Sequence, residues 1–376
     1  MEVICRTVLL ACLILGVSGC SRPVRRPTIP PTLERIQQFQ QQWRNLGQGV
    51  LVGADGCEIN ALSMEHLQQI VSQLDAEFTP LWPNGGKLWI SINAKNGFDF
   101  GVPLALHSLA LQNLEIANAV IDHDELIWLG KLDPVRLSLV NCNLISGRKW
   151  PDSLQRLRLV DCNATPEAIS AVSQVAGIQR LQVASPGRIH LKTVPQWHVT
   201  DFSLSTQSLH LDDVAVLANM PQLTSLEIQC ETIATESQEM LNGLWSNSMI
   251  QELRLDVGEL ADTLLHDLWQ NPQLRKLSLR RGAANDITLE RTSHCTAVES
   301  LELHGDYFTE DGFLQMSTMP SLTSLQLPTF QPSGALLPQL HDRFPHLQQL
   351  TVPSVTSATL QFAQTTGIEV LAPNQP

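Results

Sequence analysis

A short hydrophobic phrase recurs through the chain and narrows what it can fold into. It reads Leu111-Gln-Asn-Leu114-Glu-Ile116, Leu154-Gln-Arg-Leu157-Arg-Leu159 and Leu223-Thr-Ser-Leu226-Glu-Ile228. It returns as Leu274-Arg-Lys-Leu277-Ser-Leu279, Leu322-Thr-Ser-Leu325-Gln-Leu327 and Leu347-Gln-Gln-Leu350-Thr-Val352. Weaker copies place the second anchor at Leu137, Leu181, Phe202, Leu253 and Leu301, so anchors recur every 20 to 27 residues from 114 to 350. Apolar and polar residues alternate within the phrase, which predicts a short strand with one buried face. A single unit cannot bury that face alone. Stacked neighbours can, and the result is a quasi-one-dimensional solenoid with one continuous core. Proline stands five residues before the anchor at Pro221, Pro272, Pro320 and Pro345, where it ends the preceding segment and turns the chain toward the strand. Between strands, Leu241, Leu244 and Trp245, and Leu260, Leu264, Leu265, Leu268 and Trp269, form amphipathic stretches for the convex side.

The phrase and its period resemble those of the leucine-rich repeat family. The resemblance covers residues 87–376 and implies an α/β fold: a concave parallel sheet with a helical or irregular convex side. Many members carry Asn or Cys three residues after the last strand leucine. Here Cys142 and Cys162 hold that position, while Ala119, Pro186, Gln207, Glu231, Gly258, Gly282 and Asp306 depart from it. The expected solenoid is therefore degenerate and somewhat irregular. Upstream, Leu33, Ile36, Phe39, Trp43 and Leu46 repeat at helical spacing, and Leu62, Leu67, Ile70, Val71 and Leu74 form a second apolar pattern. Residues 33–86 are expected to be a helical N-terminal cap over the open end of the core.

The first residues read as an export signal. Arg6 precedes an apolar run from Val8 to Val17, too short to span a bilayer, followed by Ser18-Gly19-Cys20. Val17-Ser-Gly-Cys20 resembles the bacterial lipobox, which implies cleavage after residue 19 and lipidation of Cys20. An ordinary secretory peptide with an incidental Cys20 is the alternative. Residues 20–32, rich in Pro with Arg22, Arg25 and Arg26, then form a semi-rigid tether whose arginines favour anionic lipid. The expected location is a bacterial cell envelope, with a lipid anchor in the membrane and the chain outside the cytoplasm.

Downstream of Cys20 lie Cys57, Cys142, Cys162, Cys230 and Cys295. Cys142 and Cys162 occupy equivalent places in adjacent repeats, yet parallel inward side chains suit a bridge poorly, so buried thiols are expected. No zinc-ligand spacing, phosphate loop or nucleophile–base motif occurs, and the chain is expected to be non-enzymatic with no cofactor. The acidic group Asp122, Asp124 and Glu125 lacks the spacing of a calcium loop.

Charge sharpens the functional reading. The chain carries 24 basic and 37 acidic residues, a formal net charge of −13, which opposes general nucleic-acid binding. Against that background, Arg136, Arg156 and Arg180 fall at one repeat position, just before the second anchor, with Arg158 beside them. Arg254 and Lys276 belong to a second basic group with Arg275 and Arg280. These residues are the candidate partner-binding set, and an anchored, non-catalytic protein that presents its concave face to a protein or acidic glycan is the expected function. The alternatives are a structural envelope component, in which Glu115, Glu227 and Glu252 neutralise the basic residues, or the regulatory part of an enzyme. Oligomeric state is not legible. Ser278 and Glu302, beside the anchors Leu277 and Leu301, are expected to be exposed and tolerant of substitution.

Overall fold

The computed structural model describes residues 50–52, 56–61, 65–72, 87–96, 111–184, 197–217, 220–234, 249–258, 268–280 and 285–373, with a few single positions between. The expected export signal and tether, Cys20, and Leu33, Ile36, Phe39, Trp43 and Leu46 lie outside the described residues. Among the described residues, no helix is long and apolar enough to cross a membrane.

Fifteen described strands make one long sheet. It opens with β1 (Val50–Val52), β2 (Gly56–Ala61), β3 (Lys87–Asn93) and β4 (Leu111–Ala117). It continues through Arg136–Val140, Arg156–Val160, Arg180–Ala184, Asp201–Ser205 and Ser225–Cys230. Glu252–Val257, Lys276–Arg280, Ser300–Leu303, Ser324–Gln326, Gln349–Thr351 and Glu369–Leu371 complete it. Each strand from β2 onward pairs in parallel with the next, whereas β1 runs antiparallel to β2. The architecture is a leucine-rich-repeat-like solenoid, and the strand anchors set its register. Leu137 stands beside Leu157, Leu157 beside Leu181, Leu253 beside Leu277, and Leu277 beside Leu301. These anchors are at most 2% exposed. At ~1.5–3 kcal/mol per fully buried leucine, the stacked rows form the main store of stability.

The sheet begins earlier than the leucine phrase indicates. Within 33–86, the described residues include β1 and β2 as well as a helical segment at 65–72, and β2 pairs with β3 in register. Its buried positions are Cys57, Ile59 and Ala61, which fill the anchor rows without the leucine spacing.

Helices on the far side of the core begin with residues suited to the task. Asp122 caps His123–Leu132: its carboxylate accepts from the Asp124 amide at 2.8 Å, and Glu125 accepts from the Asp122 amide at 3.0 Å. The acidic group noted in the sequence is thus a capping box. Thr165 caps Pro166–Ser173, whose first residue needs no amide partner. Leu126, Trp128, Leu129 and Leu132, and Leu241, Trp245, Leu265 and Leu268, are all buried on the core side.

Cys142 and Cys162 are buried free thiols in the described structure, as are Cys57, Cys230 and Cys295. The Cys142 sulfur lies 3.4 Å from the Ile116 and Val140 carbonyls, and the Cys162 sulfur 3.3 Å from those of Leu139 and Val160. They serve the polar role of the repeat bend. The Cys142 thiol is pushed up by its hydrogen bond with Cys162 and then by burial.

Just ahead of them the backbone turns left-handed. Asn118, Asn141 and Asp161 have φ of 58°, 51° and 51°. Their amides donate to Val140, Val160 and Ala184 of the following repeats. Asn141 also donates its side-chain amide to Asn118 at 2.7 Å, and Asn118 donates to Asn93 at 2.9 Å. Asn and Asp tolerate this conformation at small steric cost. This side-chain ladder ties together the ends of the three strands that finish at or just before Asn93, Asn118 and Asn141.

Candidate ligand-binding face

The register builds one polar row along the concave sheet: Glu58, Trp89, Asn113, Arg136, Arg156, Arg180 and Asp201 stand side by side on successive strands. A parallel row two residues further along carries Asn60, Ser91, Glu115, Ser138, Arg158 and Gln182. Neighbouring positions in either row are about 4.8 Å apart. Between them lies a groove of about 660 Å³, floored by the anchors Ile90, Leu114, Leu137 and Leu157.

The structure brings Arg136, Arg156, Arg158 and Arg180 together along this groove. It does not treat them alike. Arg180 is claimed by Asp201 of the next strand, with Nε–H donating to Oδ2 at 2.7 Å. Arg136 and Arg156 are exposed and make no ion pair among the described residues, although they face each other in register. Among the described residues, Arg158 reaches only the hydroxyl of Ser138, at 3.4 Å. Like charges at this spacing repel one another, and an anion placed between them would relieve that repulsion.

Arg254 and Lys276 lie further along the sheet, outside the groove. Arg254 stands beside Glu227 in register, and Lys276 is ion-paired with Glu252. Arg275 meets Glu299 at 3.4 Å, and Arg280 meets Glu302 at 3.0 Å. The second basic group is therefore largely answered by carboxylates within the molecule.

Sequence reasoning missed the groove's other wall. Trp89 is half-buried on β3. With the Asn113 amide turned so that its oxygen faces the indole, Trp89 Nε1–H donates to it at 2.6 Å, and the Asn113 amide nitrogen donates to the Gln112 carbonyl at 3.0 Å. Glu58 stands beside Trp89 in register, and Asn60, Ser91 and Glu115 line the same groove. The available signal was the alternating stretch Lys87-Leu-Trp-Ile-Ser-Ile-Asn93, which keeps the period of a strand without the leucines.

A separate cluster surrounds Glu302, and here the sequence expectation was wrong. Ser278 is 6% exposed rather than open to solvent. Its hydroxyl donates to Glu302 at 2.7 Å, Arg280 donates to the same carboxylate at 3.1 Å, and the His304 ring lies 2.7 Å away. Burial of Glu302 opposes its charge, but hydrogen bonds with His304, Ser278 and Arg280, and the arginine's charge, outweigh it and hold the carboxyl down at about 2. The serine donates to the glutamate and not to the histidine, so it is not arranged as an activated nucleophile.

No protein-family model matches the sequence, and no curated protein matches it. Among solved structures, the fold is similar to TLR13 in the crystal structure of the TLR13–ssRNA13 complex, with 13% sequence identity and a TM-score of 0.42. That similarity covers 84% of this chain and 46% of the other, so the chain spans less than half the length of that neighbour.

Proposed function

We propose that the protein is a non-catalytic binding protein that holds an acidic partner, a protein or a glycan, in the groove of its concave face. The observation that carries this reading is the pairing of Arg136 with Arg156, exposed, in register and without a carboxylate among the described residues. Arg158 adds a third cation to the same wall. Guanidinium groups bind carboxylates and related anions through charge-assisted, often bidentate hydrogen bonds. Anchoring belongs to the same proposal: the lipobox-like Val17-Ser-Gly-Cys20 places a lipid on Cys20, the tether spans the membrane surface, and the solenoid faces the envelope space with residues 33–86 closing its N-terminal end.

The test uses the soluble form beginning after Cys20 and two acidic probes, polygalacturonate and polyglutamate. At least one probe binds, and its affinity falls steeply between 50 and 500 mM salt because exposed charges are screened within about 8–10 Å at physiological ionic strength. Changing Arg136, Arg156 and Arg158 together to Ser abolishes that binding with little change in melting temperature. Unaltered binding by the triple variant, or no binding of either probe, rejects the groove as an anion site. The anchor is tested separately: Cys20→Ser moves the protein from the membrane to the soluble fraction, and an unlipidated wild-type N-terminus rejects it.

A further inference from the structure

We infer that the groove takes an acidic polysaccharide, with one sugar ring stacked on Trp89 and an anionic substituent further along the strand held by Arg136, Arg156 and Arg158. The inference rests on the anion-binding reading above and chooses between its two partner classes.

The two ends of the groove differ chemically. At the β2–β4 end stand an aromatic ring, two amides and two carboxylates: Trp89, Asn60, Asn113, Glu58 and Glu115. At the other end are the three arginines, which have no carboxylate partner among the described residues. The Trp89 indole N–H is spent on Asn113, which fixes the ring on its strand and leaves its faces to offer apolar contact. Short side chains on strands are rigidly spaced. Asn60 supplies a donor and an acceptor, and Glu58 and Glu115 supply acceptors, which is what a ring carrying several hydroxyl groups requires. Trp89 and the pair Arg136–Arg156 are two and three strand positions apart, about 10–14 Å. A glycan strand lying across the sheet spans that interval with a few rings.

A uniformly acidic peptide fits less well. Laid along the groove, it brings carboxylates against Glu58 and Glu115, where they repel. A hydroxyl-rich ring donates to those same carboxylates. A uniformly basic segment meets the opposite conflict at the arginines. The groove therefore selects a ligand with hydroxyl groups at one end and an anion at the other, and a polysaccharide with spaced acidic groups meets both demands.

The experiment compares three probes of matched length on the soluble form: a hyaluronan hexasaccharide, which carries a carboxylate on every second ring, the neutral maltohexaose, and a dipolar peptide of the sequence Lys-Ser-Ser-Glu-Glu-Glu. The hyaluronan hexasaccharide binds most tightly. Trp89→Ala weakens it about tenfold, whereas Trp89→Phe keeps most of the affinity, because the aromatic face rather than the indole nitrogen meets the sugar. Melting temperatures of both variants identify any loss that comes from misfolding, and Asn60→Ala, at an exposed position, weakens the saccharide independently of the tryptophan. Equal or tighter binding of the peptide, or hyaluronan hexasaccharide binding unchanged by Trp89→Phe, Trp89→Ala and Asn60→Ala alike, overturns the glycan assignment while the arginine site stands. Failure of every acidic probe to bind overturns both.

Discussion

Ser278 and Glu302 face each other on adjacent strands, and the serine hydroxyl donates to the carboxylate at 2.7 Å. The bond belongs to a charged cluster within the sheet, completed by Arg280 and His304. It turns two residues that look like open strand positions into structural ones.

This cluster makes stability depend on acid. The Glu302 carboxyl is held at about 2 in the folded chain, against about 4.3 in an unfolded one. Its folded value is the lower, so its contribution is fully present above about pH 5 and disappears as pH falls from about 4.3 toward 2. Glu302→Gln should cost about 1–3 kcal/mol at pH 7, and the difference from wild type should shrink across that window. Urea unfolding at pH 7, 4 and 2.5 checks this; a difference that grows toward acid contradicts it.

The anchors and their neighbours should separate cleanly when the right neighbour is chosen. Leu277→Ala and Leu301→Ala each remove a side chain at most 1% exposed and should cost about 2–5 kcal/mol. Ser203 is half-buried in the polar row of the sheet, and Ser203→Ala should change stability by no more than about 0.5 kcal/mol. Chemical denaturation midpoints with unchanged slopes would measure both, and comparable losses at Leu277 and Ser203 would mean that the register is misassigned.

Asn141 combines a left-handed backbone, φ 51°, with a side-chain bond to Asn118. Asn141→Ala loses both features and should destabilise by about 1–3 kcal/mol. Asn141→Gly restores conformational ease but not the ladder, and should lose less. Thermal melts of the two variants distinguish them, and a glycine variant no better than alanine would show that the backbone conformation contributes nothing.

Much of the architecture was legible because the leucine phrase is a physical register mark. Every residue from Asn113 to Gln349 that precedes a second anchor lands in one row of the sheet, including Arg136, Arg156 and Arg180. The β2 strand was not legible, since Cys57, Ile59 and Ala61 bury the same face without a leucine among them. Trp89 was invisible as a groove residue for a related reason: its strand has a seven-residue alternation that reads as ordinary core. The sorting of the cations was hidden more deeply. Arg156 and Arg180 are indistinguishable in the pattern, and only the neighbour across the strand gap, Asp201 for one and Arg136 for the other, separates a neutralised charge from an unanswered one. The left-handed turns were partly signalled by Val-Asn-Cys-Asn and Val-Asp-Cys-Asn, but the residue ahead of the cysteine carries the conformation.

The reversed direction of β1 has a consequence for self-association. A sheet of in-register parallel strands is a template onto which another molecule can add end to end, and head-to-tail addition that never closes produces filaments. β1 pairs Val50 with Ile59 and Val52 with Cys57 in the opposite sense to every later pair. A second copy meeting that strand would find a hydrogen-bonding pattern that does not continue the repeat. The inverted strand thus breaks, at that end of the described sheet, the regularity that head-to-tail addition would need.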